Sequence, residues 1–351
     1  MSEAASSESD YGFLSRLLHK LALDYAFIGE ACFDIEQMSA GEVVVEQPVF
    51  IVGLARSGTT ALLTDIYETG VFRSLTYKDM PFVLMPGVWK KLSSSHSADM
   101  EKKERAHGDG ILVNAESPEA FEEVFWRTFS GDRYIRDDCL VPHNVTKGTL
   151  EKFRQFVTSV VSSAGDAGQT RYLSKNNNNL LRLPVIRRAF PDAKIIVPFR
   201  DPIQQSISLM SQHRLFCERH ADDGFSLKYM NWLAHHEFGL GHRPFRFSDE
   251  HGGEGDPADI NYWLSIWHNS YRHVLATADD DTYFLCFETL CEQSASEVAR
   301  LYAWGAIPVA DSAGELTFAL PPAKTPTGEN ADLVAACRET YREMVERNTG
   351  A

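Results

Sequence analysis

Pro48-Val49-Phe50-Ile51-Val52-Gly53-Leu54-Ala55-Arg56-Ser57-Gly58-Thr59-Thr60 reads as an apolar strand running into a glycine-bounded turn and then into a helix. Gly53 and Gly58 keep the spacing of a turn that cradles phosphate, but Thr59 stands where a nucleotide-hydrolysing enzyme carries its lysine. Backbone N–H groups and the helix N-terminus form an anion site there without any side chain. Arg56, Ser57, Thr59 and Thr60 add further donors. In a magnesium-nucleotide site the lysine neutralises the β- and γ-phosphates and the hydroxyl after it ligates the metal. Its absence turns the expectation away from a metal-assisted triphosphate, and no metal is expected.

Outward from this stretch the pattern alternates. Apolar residues at helical spacing predict a helix over 11–38, and valine-rich runs at 43–45 and 49–52 predict strands on either side of Pro48. Helix 150–163 and strand 171–174 lead to the asparagine run Asn176 to Asn179, read as a loop, and to a helix with Pro184 in its first turn. Lys194-Ile195-Ile196-Val197-Pro198-Phe199 has the near-continuous apolar character of a parallel strand buried on both faces. Asp201 then caps a helix that Pro202 begins. A helix over 258–278, a strand over 282–287 and helices over 289–304 and 330–347 complete the order, with Lys324 the only basic residue of the loop 316–328.

The fold expected is α/β, a three-layer P-loop-like arrangement with a central, mainly parallel sheet flanked by helices. Residues 1–10 are expected to be a flexible tail, and 11–351 a single domain with helical insertions at 86–146 and 217–257, the second a mobile lid. Of the 351 residues 44% are hydrophobic and 24% charged, which suits a globular chain. A net charge of -15, from 34 basic and 49 acidic residues, argues against a nucleic-acid partner. Six cysteines without a Cys-x-x-Cys pair fit reduced thiols. With neither a signal-peptide start nor a membrane-length apolar run, the expectation is a cytoplasmic protein with no membrane insertion.

A second motif, Phe199-Arg200-Asp201-Pro202-Ile203-Gln204-Gln205-Ser206-Ile207-Ser208, sets an arginine at a strand end and a serine about two helical turns beyond the cap. Both can face the carboxyl edge of the sheet, where open α/β sheets bind ligands, and the pair suits a phosphate monoester. Together the two motifs resemble the signatures of the sulfotransferases that use 3'-phosphoadenosine 5'-phosphosulfate (PAPS). The family pattern is a Pro-x-Ser-Gly-Thr-Thr-like loop and an Arg…Ser pair eight residues apart. Here the loop is Ala55-Arg56-Ser57-Gly58-Thr59-Thr60, with alanine where proline is common. The arginine looks more like the tyrosylprotein and bacterial branches. Leu173-Ser174-Lys175, Phe190-Pro191-Asp192-Ala193-Lys194 and Phe287-Glu288-Thr289-Leu290 are similar to weaker family elements, extending the resemblance over 48–304.

The resemblance implies transfer of the sulfuryl group of PAPS to a hydroxyl, less readily an amine, of a small-molecule or peptide acceptor, with PAP released. A sulfuryl group carries less charge than a γ-phosphate, so an arginine and hydroxyls suffice without a metal. It implies cofactor binding by Arg56, Ser57, Gly58, Thr59, Thr60, Arg200, Ser208 and Lys175, with Arg56 also catalytic. The general base stays open between Asp79 and His107, with Glu116 and Glu119 as further candidates. His235, His236, His242 and His251 lack a metal-ligand pattern and are read as solvated lid residues. Two alternatives are a P-loop kinase using Mg-ATP and a catalytically silent nucleotide-binding protein of the same fold.

Overall fold

In the computed structural model, residues 13–39, 41, 43–93, 103–104, 112–113, 116–165, 168–247, 253–309 and 318–349 are described. The chain opens with helices α1 (Phe13–Asp24) and α2 (Ala26–Gln37), then β1 (Val49–Ile51), α3 (Thr59–Tyr67) and β2 (Phe72–Arg73). Within 86–146 lie α4 (Pro86–Ser93), the antiparallel pair β3 (Lys103–Glu104) and β4 (Leu112–Val113), and α5 (Glu123–Ser130). After α6 (Lys147–Ser162) come β5 (Arg171–Lys175), α7 (Leu183–Ala189), β6 (Lys194–Phe199), α8 (Pro202–Asp222) and α9 (Gly224–Trp232). The last elements are α10 (Ile260–Thr277), β7 (Thr282–Cys286), α11 (Phe287–Glu292), α12 (Ser294–Trp304) and α13 (Ala331–Thr349).

The central sheet has five strands in the order β2-β5-β1-β6-β7, every pair parallel. Successive side chains of a strand point to opposite faces. Val49, Ile51, Leu173, Ile196, Tyr283 and Leu285 accordingly pack into one apolar cluster with α3 and α12, and Phe50, Ile195, Val197 and Phe199 into the larger cluster on the other face. Burial on both faces explains the unbroken apolar runs in β1 and β6.

Several elements differ from the sequence reading, among them the helix expected over 289–304, which is broken at Gln293 (φ -129, ψ 42) into α11 and α12. The helix expected over 11–38 is broken at Tyr25, whose backbone is extended (φ -113, ψ 103). Val43–Val45 forms no strand: β1 already has β5 and β6 on its two sides, and Val44 is 80% exposed. The start of the supposed lid, 217–222, continues α8, and α9 follows. Phe216 and His220, four apart on α8, pack against Phe238 and Gly239, where φ is +78 and an added Cβ would lie 2.4 Å from His220 Nδ1.

A buried polar network underlies the carboxyl end of β5. Asn176 to Asn179 are all buried, most of them in a short 3-10 turn, so the reading of a plain loop is corrected. Asn179 Nδ2 donates to Glu122 at 2.9 Å, and Asn176 Nδ2 to Glu123 at 2.5 Å. Arg182 grips Glu123 with two hydrogen bonds, 2.8 and 2.9 Å, and lies over the rings of Trp126 and Tyr134. Burial alone would raise the Glu123 pKa, but Arg182, Tyr134 and Asn176 together hold it down at about 2. Glu123→Ala would leave the Arg182 guanidinium buried without its counter-ion. A loss of about 3–5 kcal/mol is expected in urea unfolding; a loss below about 1 kcal/mol would show that the pair contributes little.

Candidate functional site

The parallel register decides where the site lies. Ile51 pairs with Lys175 on one side and Ile196 on the other, and Phe199 pairs with Cys286. The loop after β1, Lys175, Arg200 and the start of α11 therefore emerge on one sheet edge, the edge the sequence predicted for Arg200.

The loop is built by close contacts. A Cβ at Gly53 would lie 2.8 Å from the Pro198 carbonyl, and one at Gly58 (φ +88) would lie 2.6 Å from the Phe287 ring. Ser57 Oγ donates to Leu54 O at 2.8 Å, closing the turn. Between them Arg56 takes a left-handed backbone (φ +69), costly for a residue with a Cβ. From α8, Gln205 Nε2 donates to Ala55 O at 2.9 Å, and Gln205 itself is held by Trp267 Nε1 at 2.9 Å.

Arg56 Nε donates to Ser208 Oγ at 3.1 Å, joining residues 152 apart in sequence. Arg200 is 7% exposed, lies over the Phe287 ring and is 3.8 Å from Glu288, whose carboxylate also accepts from Asp201 N at 3.0 Å. Burial pushes the Arg200 pKa down while Glu288 pushes it up. Arg200 Nε is buried and has no hydrogen-bond partner among the described residues. Lys324 sits nearby through its backbone, which exchanges hydrogen bonds of 2.8 Å with the Gln204 side chain.

In front of the loop opens a cavity of about 160 Å³, walled by Arg56, Thr59 and Thr60, by Tyr77, Glu119, Lys175 and His235, and by apolar side chains of 216–238. Glu119 is fixed by its neighbours: Leu75 O accepts from its backbone N at 3.0 Å, Tyr77 OH donates to Oε2 at 3.3 Å, and Lys175 Nζ lies 3.9 Å from Oε1. Asp79 does not reach this wall. It is 4% exposed, accepts from Thr76 N at 2.7 Å and forms an ion pair with Arg73 at 2.5 Å, so its carboxylate closes a turn and neutralises a buried cation. Glu116 pairs with Lys78 on the surface. His107 lies outside the described residues.

Sequence reasoning missed Glu237, which lines the cavity and accepts from Asn177 Nδ2 at 2.8 Å. No motif marks it; it stands among the histidines of the second insertion. It also missed Gln205 and the service of Glu288 to Arg200.

A family model described as "Sulfotransferase family" matches residues 48–237, more than half of the chain, and takes in both motifs. The chain belongs to the sulfotransferase family. No curated protein matched in a sequence search. Among solved structures the enzyme is similar to sulfotransferase STF1 from Mycobacterium tuberculosis, at 14% identity over 98% of this chain and 88% of that one, TM-score 0.48. It is also similar to STF9 from Mycobacterium avium, at 15% identity over 96% and 79%, TM-score 0.47. A sulfotransferase from Alicyclobacillus acidocaldarius shows 14% identity over 88% and 96%, TM-score 0.39.

His236 and His242 of this sulfotransferase's second insertion are packed rather than solvated, and His235 lines the cavity. His236 is 2% exposed, with Nδ1 2.7 Å from Gly241 O, and His242 Nε2 lies 2.8 Å from Tyr262 OH. His251 lies outside the described residues. Burial lowers the pKa of His236 and of His242 from 6.5 to about 4. The unfolded chain thus binds more protons between those values, and stability falls as the pH drops from about 6.5 to about 4. Urea midpoints measured across that window should fall, and fall less steeply in His236→Gln; a flat wild-type profile would contradict this. Gly58→Ala should destabilise more than Gly70→Ala, which has φ +79 but nothing within 4 Å of an added Cβ. About 1–2 kcal/mol is expected at Gly70 from the backbone alone; equal losses would show that the Phe287 contact is relieved without cost.

Proposed function

We propose that the enzyme transfers the sulfuryl group of PAPS to a hydroxyl acceptor, less readily to an amine. The observation that carries this reading is the hydrogen bond from Arg56 to Ser208, which ties the phosphosulfate-type loop to the helix that carries the second motif. The residues fit the group: the Arg200 guanidinium, paired with Glu288 but without a hydrogen bond at Nε, and the Ser208 hydroxyl suit a 3'-phosphate, and the loop with Thr59 and Thr60 suits a 5'-phosphosulfate. PAPS bound there would supply the sulfuryl group and leave as PAP.

Glu119, rather than Asp79, is the general base in this reading. It lies on the cavity wall, close to Lys175 and oriented by Tyr77. The acceptor oxygen forms its bond to sulfur as the sulfur–oxygen bond to the 5'-phosphate breaks, the acceptor proton passes to Glu119, and the departing electron pair stays on the phosphate oxygen. Arg56 and Lys175 stabilise charge on that oxygen. We further read the chain as one cytoplasmic domain, on its six free cysteines and the continuity of its sheet; among the described residues no helix is long and apolar enough to cross a membrane.

Kinetics of purified variants test the assignment. Arg56→Ala is expected to lower kcat by about 10²–10³, and Glu119→Gln by about 10²–10⁴ with PAP affinity retained. Ser208→Ala should weaken PAP binding about tenfold. Thermal stabilisation by PAP in preference to Mg-ATP is the accompanying result; stabilisation by Mg-ATP alone, or unchanged kinetics in all three variants, would overturn the reading.

A further inference from the structure

The cavity carries more than the proposed sulfuryl transfer requires. Its charged wall holds Arg56 and Lys175 against two carboxylates, Glu119 and Glu237, with His235 beside them. Its apolar wall is aromatic: Phe121 and Tyr77 meet edge to face at 5.3 Å, Phe216 and Phe238 stack at 5.9 Å, and Tyr229 and Leu233 complete it.

Glu237 is held as firmly as a catalytic group although the transfer gives it no task. Asn177 donates to it at 2.8 Å, Asn178 Nδ2 binds Ala234 O at 2.9 Å, and Arg243 N binds His236 O at 2.9 Å, so the segment 234–237 is anchored from both sides. Two asparagines of the run after β5 thus serve to place this carboxylate. Burial alone would raise its pKa, but His235 and Lys175 together with the Asn177 hydrogen bond bring it below the usual value, so it is ionised at neutral pH.

We propose that Glu237 selects the acceptor, and that the acceptor is a hydroxylated aromatic amine whose ammonium group is recognised by this carboxylate. The inference rests on the reading of the site given above. There Arg56 and Lys175 are taken up by the phosphosulfate, so the acceptor meets Glu119 and Glu237 as the carboxylates of a low-dielectric wall, where an anion is repelled and a cation attracted. The aromatic faces add to the attraction for an ammonium group.

Equilibrium binding by calorimetry, with the enzyme saturated by PAP, tests this without turnover. Tyramine, 4-propylphenol and 3-(4-hydroxyphenyl)propanoate share a phenol and differ in the charge at the other end. Tyramine is expected to bind at least about tenfold more tightly than 4-propylphenol, and the propanoate most weakly. Glu237→Gln, which retains an acceptor for Asn177, should weaken tyramine about tenfold without weakening 4-propylphenol. Equal binding of the three phenols by the wild type, equal losses in the variant, or binding of none would overturn the proposal. PAP titration comes first and separates the two readings: absence of PAP binding would sink the proposed function itself, whereas PAP binding without a preference for the amine would sink only the role of Glu237.

Discussion

β1 is hydrogen-bonded on both sides by parallel strands, and a parallel ladder leaves little choice over where the flanking chains emerge. Once Val49–Ile51 pairs with β5 and β6, the loop 53–58, Lys175 and Arg200 must leave the same edge together. Three residues would be a weak strand alone. Burial at the centre of the sheet, with Phe50 in one apolar cluster and Val49 and Ile51 in the other, makes this strand the pivot of both layers.

An acidic chain has to collect locally any cations that are to face an anionic ligand. Arg56 and Arg200 are each backed by groups that fix direction: Ser208 beneath Arg56, and the Phe287 ring and the Glu288 carboxylate beside Arg200. Gln205 ties the loop to α8 and is in turn tied by Trp267 on α10. Side chains on three elements thus hold one turn, and donors oriented before the ligand arrives cost no reorganisation when charge develops on it.

The strand–turn–helix at β1, the strand–helix at β6 and the cap at Asp201 were legible because each is a local rule: apolar runs for doubly buried strands, a glycine spacing, a carboxylate before a proline. Asp201 Oδ1 indeed accepts from Gln204 N at 2.9 Å. The base proposed above was not singled out in the sequence, because Asp79 and Glu119 look alike in a linear reading. Only the fold turns the first toward Arg73 and the second toward Lys175. The helix break at Tyr25 escaped notice for a similar reason, since apolar spacing continues through it while its backbone is extended. Glu237 and the asparagine run depend on contacts between segments about 60 residues apart, which no local pattern records.

The paired hydrogen bonds between Gln204 and the backbone of Lys324 work like one rung of a sheet ladder made by a side chain. They clip the late loop 318–328 onto the first turn of α8, leaving the Lys324 ammonium exposed at the end of a tether whose base is already set. Loop closure is ordinarily an entropy charge levied on each binding event. Here it is met during folding, so at Lys324 only the side chain, and not a whole segment of chain, is left to be ordered.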